Sequence, residues 1–177
     1  VLLDNGDASC WGDNTYGQLG TGDKTRQTAP TLSDGFGTGR TAVAISAGGH
    51  HTCAILDNGS VTCWGYGGYA QLGNGLNGQD LVTPTQTASL GIGRTAIAIS
   101  AGALHTCVIL DNGSVSCWGN SEQMGNGNAM GSTIPTLSSS FGIGRTAVAI
   151  SAGNQHTCAI LDNGSVSCWG HGGAGRL

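Results

Sequence analysis

The sequence ISAGGHHTCAILDNGSVTCWG, Ile45 to Gly65, contains two apolar stretches on either side of the triplet Asp-Asn-Gly. Alternation with a period of two predicts β-strands, and a short turn that ends in Gly predicts that the two strands form a hairpin. A three-residue loop with Gly in the left-handed conformation places Ile55 opposite Val61 and Cys53 opposite Cys63. Because the two cysteines face each other, the hairpin predicts a disulfide between them.

This stretch is one copy of an internal repeat. Cys-Trp-Gly occurs at steps of 53, 54 and 51 residues, and each of the three prolines precedes a tryptophan by 34 residues. The distance from a tryptophan to the next proline varies instead, at 19, 20 and 17 residues. We therefore expect a single repeat array over residues 1–177. Its parts are rigid frames at 30–65, 84–119 and 135–170, a partial repeat at 1–12, and variable loops at 12–29, 65–83 and 119–134.

The cysteines follow the repeat. The hairpin register predicts three disulfides: Cys53 to Cys63, Cys107 to Cys117, and Cys158 to Cys168. The seventh cysteine, Cys10, is left over, and aligning Val1 with Ala54 puts its partner one residue before Val1. We therefore expect a cysteine before Val1, which makes Cys10 unpaired by truncation, and further repeats after Leu177. Disulfides of this density predict an extracytoplasmic protein, secreted or on a cell surface.

Both sides of the predicted hairpin are apolar. Ile55 and Val61 lie on the side of the cysteines, whereas Leu56 and Trp64 lie on the other side. A sheet that is apolar on both sides must be covered on both, and the stacked blades of a β-propeller achieve this without helices. The prolines are expected on the outer edge strand, since proline cannot donate to a central ladder. The fold class is therefore predicted as all-β, an incomplete β-propeller of four-stranded antiparallel blades.

The motifs that carry a family resemblance lie in Ile45 to Ile55, Trp11 to Gly22 and Trp64 to Gly75. They resemble the repeat of the regulator of chromosome condensation family over nearly the whole chain. The resemblance implies a seven-bladed propeller when complete, of which about three and a third repeats are present. Two departures stand out: cysteines occupy apolar positions of the motif, and the third copy, Trp118 to Gly127, is two residues short.

Composition argues against two kinds of partner. Six Lys and Arg stand against ten Asp and Glu, for a net charge of −4, and no basic cluster is present. Nucleic acid is therefore not expected as a partner, since phosphate contacts require clustered Lys and Arg. The longest apolar run has only a few residues, so no membrane segment is predicted in this piece.

No catalytic or metal-binding constellation interrupts the repeat. Three histidines recur once per repeat: His51, His105 and His156. This regularity predicts a structural role in which the imidazole ties the backbone of its blade together, whereas His50 and His171 are expected at the surface. Glu122 is the only glutamate, so paired glutamates for acid and base chemistry are absent. We therefore predict no enzyme activity, no metal and no cofactor.

What does interrupt the repeat is the set of variable loops. The candidate partner-binding residues in these loops are Asp13, Tyr16, Lys24, Arg26, Tyr66, Tyr69, Asp80, Glu122, Gln123 and Met124. Variable loops on a fixed frame are where such folds place recognition, and tyrosine is a frequent interface anchor. The alternative is that these loops carry only tolerated variation.

The leading hypothesis is a non-catalytic extracytoplasmic protein-binding or scaffold module, a fragment of a larger repeat propeller. Its protein partner is unknown. A narrower version is a secreted enzyme inhibitor of the propeller type. The resemblance also implies a second class, a guanine nucleotide exchange factor-like regulator of a small GTPase.

Overall fold

The computed structural model describes residues 1–128, 130–172 and 177, which form an all-β structure. The described strands form four antiparallel sheets of two, four, four and three strands. In chain order the strands are β1 (Ser9–Gly12), β2 (Gln27–Leu32), β3 (Ala42–Ala47), β4 (His51–Leu56), β5 (Val61–Gly65), β6 (Leu81–Gln86), β7 (Ala96–Ala101), β8 (His105–Leu110), β9 (Val115–Gly119), β10 (Ser132–Leu137), β11 (Ala147–Ala152), β12 (His156–Leu161) and β13 (Val166–Gly170). A short 3₁₀ helix, Ser121–Gln123, lies between β9 and β10.

Each sheet is a meander in which every strand pairs with its neighbour in sequence. The second and third sheets are complete four-stranded blades, and the first and last sheets contain part of the same pattern. The predicted incomplete propeller of four-stranded antiparallel blades is therefore confirmed. The variable loops are shorter than the sequence indicated, because the fourth strand of a blade begins three residues before its proline, at Gln27, Leu81 and Ser132.

The hairpin between β4 and β5 has the predicted register. Ile55 pairs with Val61 and Cys53 pairs with Cys63, and Gly59 closes the turn with a positive φ of 76°. The structure contains three disulfides, Cys53–Cys63, Cys107–Cys117 and Cys158–Cys168, each with its Cα atoms 4.1 Å apart. These are the pairs that the register opposes, and Cys10 is a free cysteine.

The hydrophobic core lies between neighbouring sheets. The cysteine side of the second sheet, with Ile55 and Val61, packs against the tryptophan side of the third sheet, with Val108, Leu110 and Trp118. The same arrangement joins the third sheet to the fourth. Each inner sheet is thus covered on both sides, and its two middle strands are buried at every residue.

The prolines lie on the outer edge of the blades. Pro84 is in β6 and Pro135 is in β10, and each of these strands pairs on one side only. Pro30 has the equivalent position in β2. An edge strand tolerates proline because its outward-facing backbone needs no N–H donor, so the predicted placement is confirmed.

The three disulfides are expected to differ in how fast they are reduced. Cys53, Cys63, Cys107 and Cys117 are fully buried, whereas Cys158 and Cys168 lie on the uncovered side of the last sheet and are partly exposed. Thiol–disulfide exchange requires access of the attacking thiolate to sulfur. Mild reductant without denaturant should therefore open Cys158–Cys168 first.

Differential alkylation followed by peptide mapping measures this order. The same mapping under non-reducing conditions should recover the three pairs and leave only Cys10 alkylated. Any other linkage, or reduction of Cys53–Cys63 as fast as that of Cys158–Cys168, would contradict the predicted pairing and packing.

Candidate functional site

The alternating strand directions give the array two faces. The turn after β3 and the loop after β5 lie at one end of the strands, and so do their equivalents in the other sheets. We call this end the loop face. The Asp-Asn-Gly turns and the connections that precede β3, β7 and β11 lie at the opposite end, which we call the turn face.

The first half of each variable loop is held against the next blade. The backbone carbonyl of Gln71 accepts hydrogen bonds from the indole N–H of Trp118 (2.8 Å) and from the hydroxyl of Thr106 (3.0 Å). The carbonyl of Gln18 has the same role toward Trp64 and Thr52. These ties fix the half of each loop that follows the tryptophan against the next blade.

This arrangement corrects two predicted site residues. The Gln123 carbonyl accepts the indole N–H of Trp169 at 2.9 Å, and the Gln123 residue is only 1% exposed. Met124 is fully buried in the core between the third and fourth sheets. Neither side chain is available to a partner, because both belong to the contact between blades.

The repeated histidines also connect blades. The Nε2 atom of His51 lies 2.8 Å from the hydroxyl of Thr106, and His105 has the same distance to Thr157. Because Thr106 donates its proton to the Gln71 carbonyl, its oxygen must accept from the ring, so Nε2 of His51 carries hydrogen. The tie therefore reaches the next blade, whereas the sequence indicated a tie within one blade.

Burial keeps these two rings neutral. Desolvation lowers the pKa of His51 from 6.5 to about 3, and that of His105 from 6.5 to about 4. Neighbouring histidines lower these two pKa values further: His105 and His50 act on His51, and His156 acts on His105. Within residues 1–128 and 130–172, no group of three or more His, Cys, Asp or Glu is placed to hold a metal ion.

Four rings form a cluster on the loop face. We call it the tyrosine–histidine cluster, and its members are Tyr16, His50, Tyr66 and Tyr69. The ring centroids of Tyr16 and Tyr66 are 4.7 Å apart, those of Tyr16 and His50 are 5.2 Å apart, and those of Tyr66 and Tyr69 are 6.2 Å apart. The rings are tilted by 51° to 66°, an arrangement that aromatic pairs favour.

The frame brings the cluster together from separate loops. The N–H of Tyr66 donates to the carbonyl of His50 at 2.9 Å, and this contact recurs between Asn120 and Leu104 at 3.0 Å. The equivalent backbone positions therefore carry aromatic rings in one blade and other side chains in the next. His50 was expected only at the surface, and its membership of a cluster could have been suspected from the extra histidine in that one copy.

The loops that carry the cluster also carry charged residues. Lys24 and Asp80, both predicted site residues, form an ion pair of 2.9 Å between neighbouring loops. Asp13 accepts hydrogen bonds from the Thr15 hydroxyl (2.8 Å) and the Gln18 amide (2.7 Å), and the bond from Thr15 is the main reason that its pKa is lowered. The surroundings of the rings are therefore polar.

The remaining predicted residues lie away from the rings. Arg26 is exposed directly before β2, and Glu122 in the third loop pairs with His171 at 3.0 Å. A groove of about 360 Å³ separates the second loop from the third and is lined by Tyr69, Asn77, Asn120 and Thr133. Tyr69 borders both this groove and the cluster, so the two form one continuous surface.

Cys10 does not have the character of an active nucleophile. It lines a pocket of about 360 Å³ between the first sheet and β3, beside Trp11 and Ile45. Burial raises the pKa of its thiol, which keeps the thiol protonated.

Comparison with protein families gives one repeat throughout the chain. The Regulator of chromosome condensation (RCC1) repeat matches residues 5–55, 58–109 and 112–160. A second definition of the same repeat matches residues 42–71, 96–126 and 147–176.

Several curated relatives match nearly the whole chain. The ultraviolet-B receptor UVR8 of Arabidopsis thaliana is 32% identical over 178 residues, which cover 97% of this chain and 39% of the receptor. The E3 ubiquitin-protein ligase HERC2 of Homo sapiens is 30% identical over 183 residues, which cover all of this chain and 4% of the ligase. The chain therefore spans less than half the length of either relative.

Solved structures share the fold. Human WBSCR16 superposes with a TM-score of 0.87 and 24% identity, over 99% of this chain and 47% of the other. Prp20p of Saccharomyces cerevisiae superposes with a TM-score of 0.81 and 22% identity, over 94% of this chain and 42% of Prp20p. Its structure was solved together with its binding properties to Gsp1p and histones. The described part of this chain holds no helix with the length and apolar character needed to cross a membrane.

Proposed function

The chain belongs to the regulator of chromosome condensation repeat family, and from that we propose that it is a non-catalytic, extracytoplasmic module that binds a protein through its loop face. The observation that carries the proposal is the tyrosine–histidine cluster. It gathers residues from two loops and one turn that differ between repeats, and it adjoins the groove beside Tyr69.

The composition of this surface is that of a protein interface. Tyrosine presents a large rigid ring together with a hydroxyl, and it is enriched among the residues that dominate binding energy. Tyr69 is 46% exposed, whereas Tyr16 and Tyr66 are partly covered by each other and support it. Prp20p, which has the same fold, binds Gsp1p and histones.

Two further features support the proposal that the protein is extracytoplasmic and that it is part of a larger propeller. Disulfides form and persist in oxidising compartments, and this chain has one per blade in three successive sheets. The cysteine side of the last sheet is covered in the preceding sheets, yet here it exposes Val166 by 63% and Ile160 by 45%. A larger propeller would cover this side with another blade.

Replacing Tyr69 and Tyr66 by Ser tests the proposed surface. Truncating a central interface aromatic costs about 2 kcal/mol or more, so affinity for a protein captured with the wild-type chain should fall roughly 30-fold or more. Titration calorimetry measures the affinity, and thermal unfolding should change little for Tyr69→Ser, because that side chain is half exposed.

The matched control is Ile143→Ser. Ile143 is fully exposed on the turn face, so this variant removes an exposed apolar side chain far from the cluster. It should bind like the wild type. Equal affinity of the tyrosine variants and the wild type, or a loss confined to Ile143→Ser, would show that the loop face is not the binding surface.

A further inference from the structure

Three hairpin turns on the turn face carry the same tripeptide, Asn-Gly-Ser. It occurs at Asn58, Asn112 and Asn163, in the turns between β4 and β5, β8 and β9, and β12 and β13. Asn-X-Ser with X other than Pro is the acceptor sequence for N-linked glycans. We propose that Asn58, Asn112 and Asn163 are glycosylation sites, which give the turn face one glycan per blade.

The geometry of each turn leaves the reactive nitrogen outside. The side-chain oxygen of Asn58 accepts two hydrogen bonds from Ser60, one from its backbone N–H at 3.1 Å and one from its hydroxyl at 2.7 Å. Asn163 accepts both groups of Ser165 at the same distances. In the third sheet, Asn112 accepts the Ser114 N–H at 3.1 Å.

Because the oxygen of each amide turns inward to its serine, the Nδ2 atom points away from the turn. All three asparagines are exposed. Within residues 1–128 and 130–172 the structure shows no hydrogen bond from any of these three nitrogens. A glycan on Nδ2 would therefore displace no contact of the folded protein.

The two residues next to Asn58 in the chain already make contacts with other parts of the protein. The Gly59 carbonyl accepts the Ala96 N–H at 2.9 Å, and Asp57 pairs with Arg40 at 3.2 Å. The same two contacts flank Asn112. The asparagine is thus the residue that the turn presents to solvent, on the face opposite the tyrosine–histidine cluster. Glycans here would leave the proposed binding surface open.

The chemistry requires a donor of a defined class, an oligosaccharide carried on a lipid diphosphate. A bond forms between Nδ2 of the asparagine and C1 of the first sugar, the bond from C1 to the phosphate oxygen breaks, and the lipid diphosphate leaves while the amide loses one proton. This donor acts in the secretory pathway, so the inference rests on the extracytoplasmic part of the proposed function.

The chain supplies its own control in the first repeat. Asn5 lies in an equivalent Asp-Asn-Gly turn, but Asp7 follows where the other copies have serine. Its Nδ2 donates to the Asp7 carboxylate at 2.8 Å, and its oxygen accepts the Asp7 N–H at 3.0 Å. Asn5 therefore has the same turn without the acceptor sequence and with its nitrogen occupied.

The test is secretion of the full chain from a eukaryotic host behind a cleavable leader. Glycans are then released by peptide N-glycosidase in heavy-oxygen water, which marks each former acceptor as heavy-oxygen aspartate. A sample incubated in the same water without the enzyme gives the label that comes from spontaneous deamidation of Asn-Gly, and only label above that level counts. Peptide mapping should find the label at Asn58, Asn112 and Asn163 and not at Asn5. Ser60→Ala should remove the label at Asn58 alone, and Asp7→Ser should add it at Asn5.

Secreted, disulfide-bonded protein without label at these three asparagines would overturn the inference. Label that persisted at Asn58 in Ser60→Ala would overturn it as well. Disulfide mapping and the binding of Tyr69→Ser, measured on the same preparations, keep the two proposals separate. Unglycosylated protein that still binds through its loop face refutes only the inference, and glycosylated protein that binds elsewhere refutes only the proposed function.

Discussion

Lowering the pH from 7 to 5 is expected to reduce the free energy of unfolding by about 3 to 4 kcal/mol, because two buried histidines stay neutral in the folded state while they take up protons in the unfolded chain. Burial lowers the pKa of His51 to about 3 and that of His105 to about 4, from 6.5. Below pH 6.5 the unfolded state therefore binds more protons than the folded state. The stability that comes from keeping these two histidines neutral is fully present above pH 6.5. It is lost as the pH falls from 6.5 toward the folded-state pKa values of His51 and His105.

Urea unfolding at pH 7, 6 and 5 measures this effect in a window where few carboxylates titrate. His105→Gln replaces the ring with an amide that cannot protonate and can still donate to Thr157, so the pH dependence should fall to about half. His50→Gln is the matched control, since His50 is exposed beside His51 and should leave the slope unchanged. Equal stability of the wild type at pH 7 and pH 5 would contradict the assigned neutral, buried rings.

Replacing Trp118 by Ala is expected to destabilise the array by about 3 to 5 kcal/mol, the usual cost of removing a fully buried aromatic side chain. Trp118 is 0% exposed, packs in the core between the second and third sheets, and donates its indole N–H to the Gln71 carbonyl. Its loss leaves a cavity between two blades. Chemical denaturation monitored by circular dichroism gives the change in the free energy of unfolding.

The first repeat again supplies the matched control. Trp11 has the same repeat position but is 50% exposed, so Trp11→Ala should cost about 1 kcal/mol or less. Trp118→Phe keeps most of the packing and loses the hydrogen bond, for which about 1 to 2 kcal/mol is expected, and it serves if Trp118→Ala does not fold. Equal effects of Trp11→Ala and Trp118→Ala would mean that the repeat position, and not burial between blades, determines the role of the tryptophan.

Part of the candidate site could be predicted from sequence because it lies in the loops whose length and sequence vary between repeats. Tyr16, Tyr66 and Tyr69 are in these loops, and the structure places all three in one cluster. The prediction for Gln123 and Met124 was wrong because variable loop length indicates where insertions are tolerated and does not indicate which residues are exposed. Half of each loop turns back onto the next blade, and sequence spacing carries no sign of that turn.

The sequence by itself determined the features that depend on local geometry. The hairpin register, the pairs of facing cysteines and the proline edge strands follow from strand alternation and turn length, which act within a few residues. Only the tertiary structure decided what happens between blades: His51 reaches Thr106, the Gln71 carbonyl holds Trp118, and His50 joins the tyrosines. The first two contacts link residues about fifty positions apart, and His50 contacts Tyr16 across 34 positions. All three contacts depend on how one twisted sheet is rotated against the next. That rotation is set by the packing of whole sheet faces, which no single stretch of the repeat encodes.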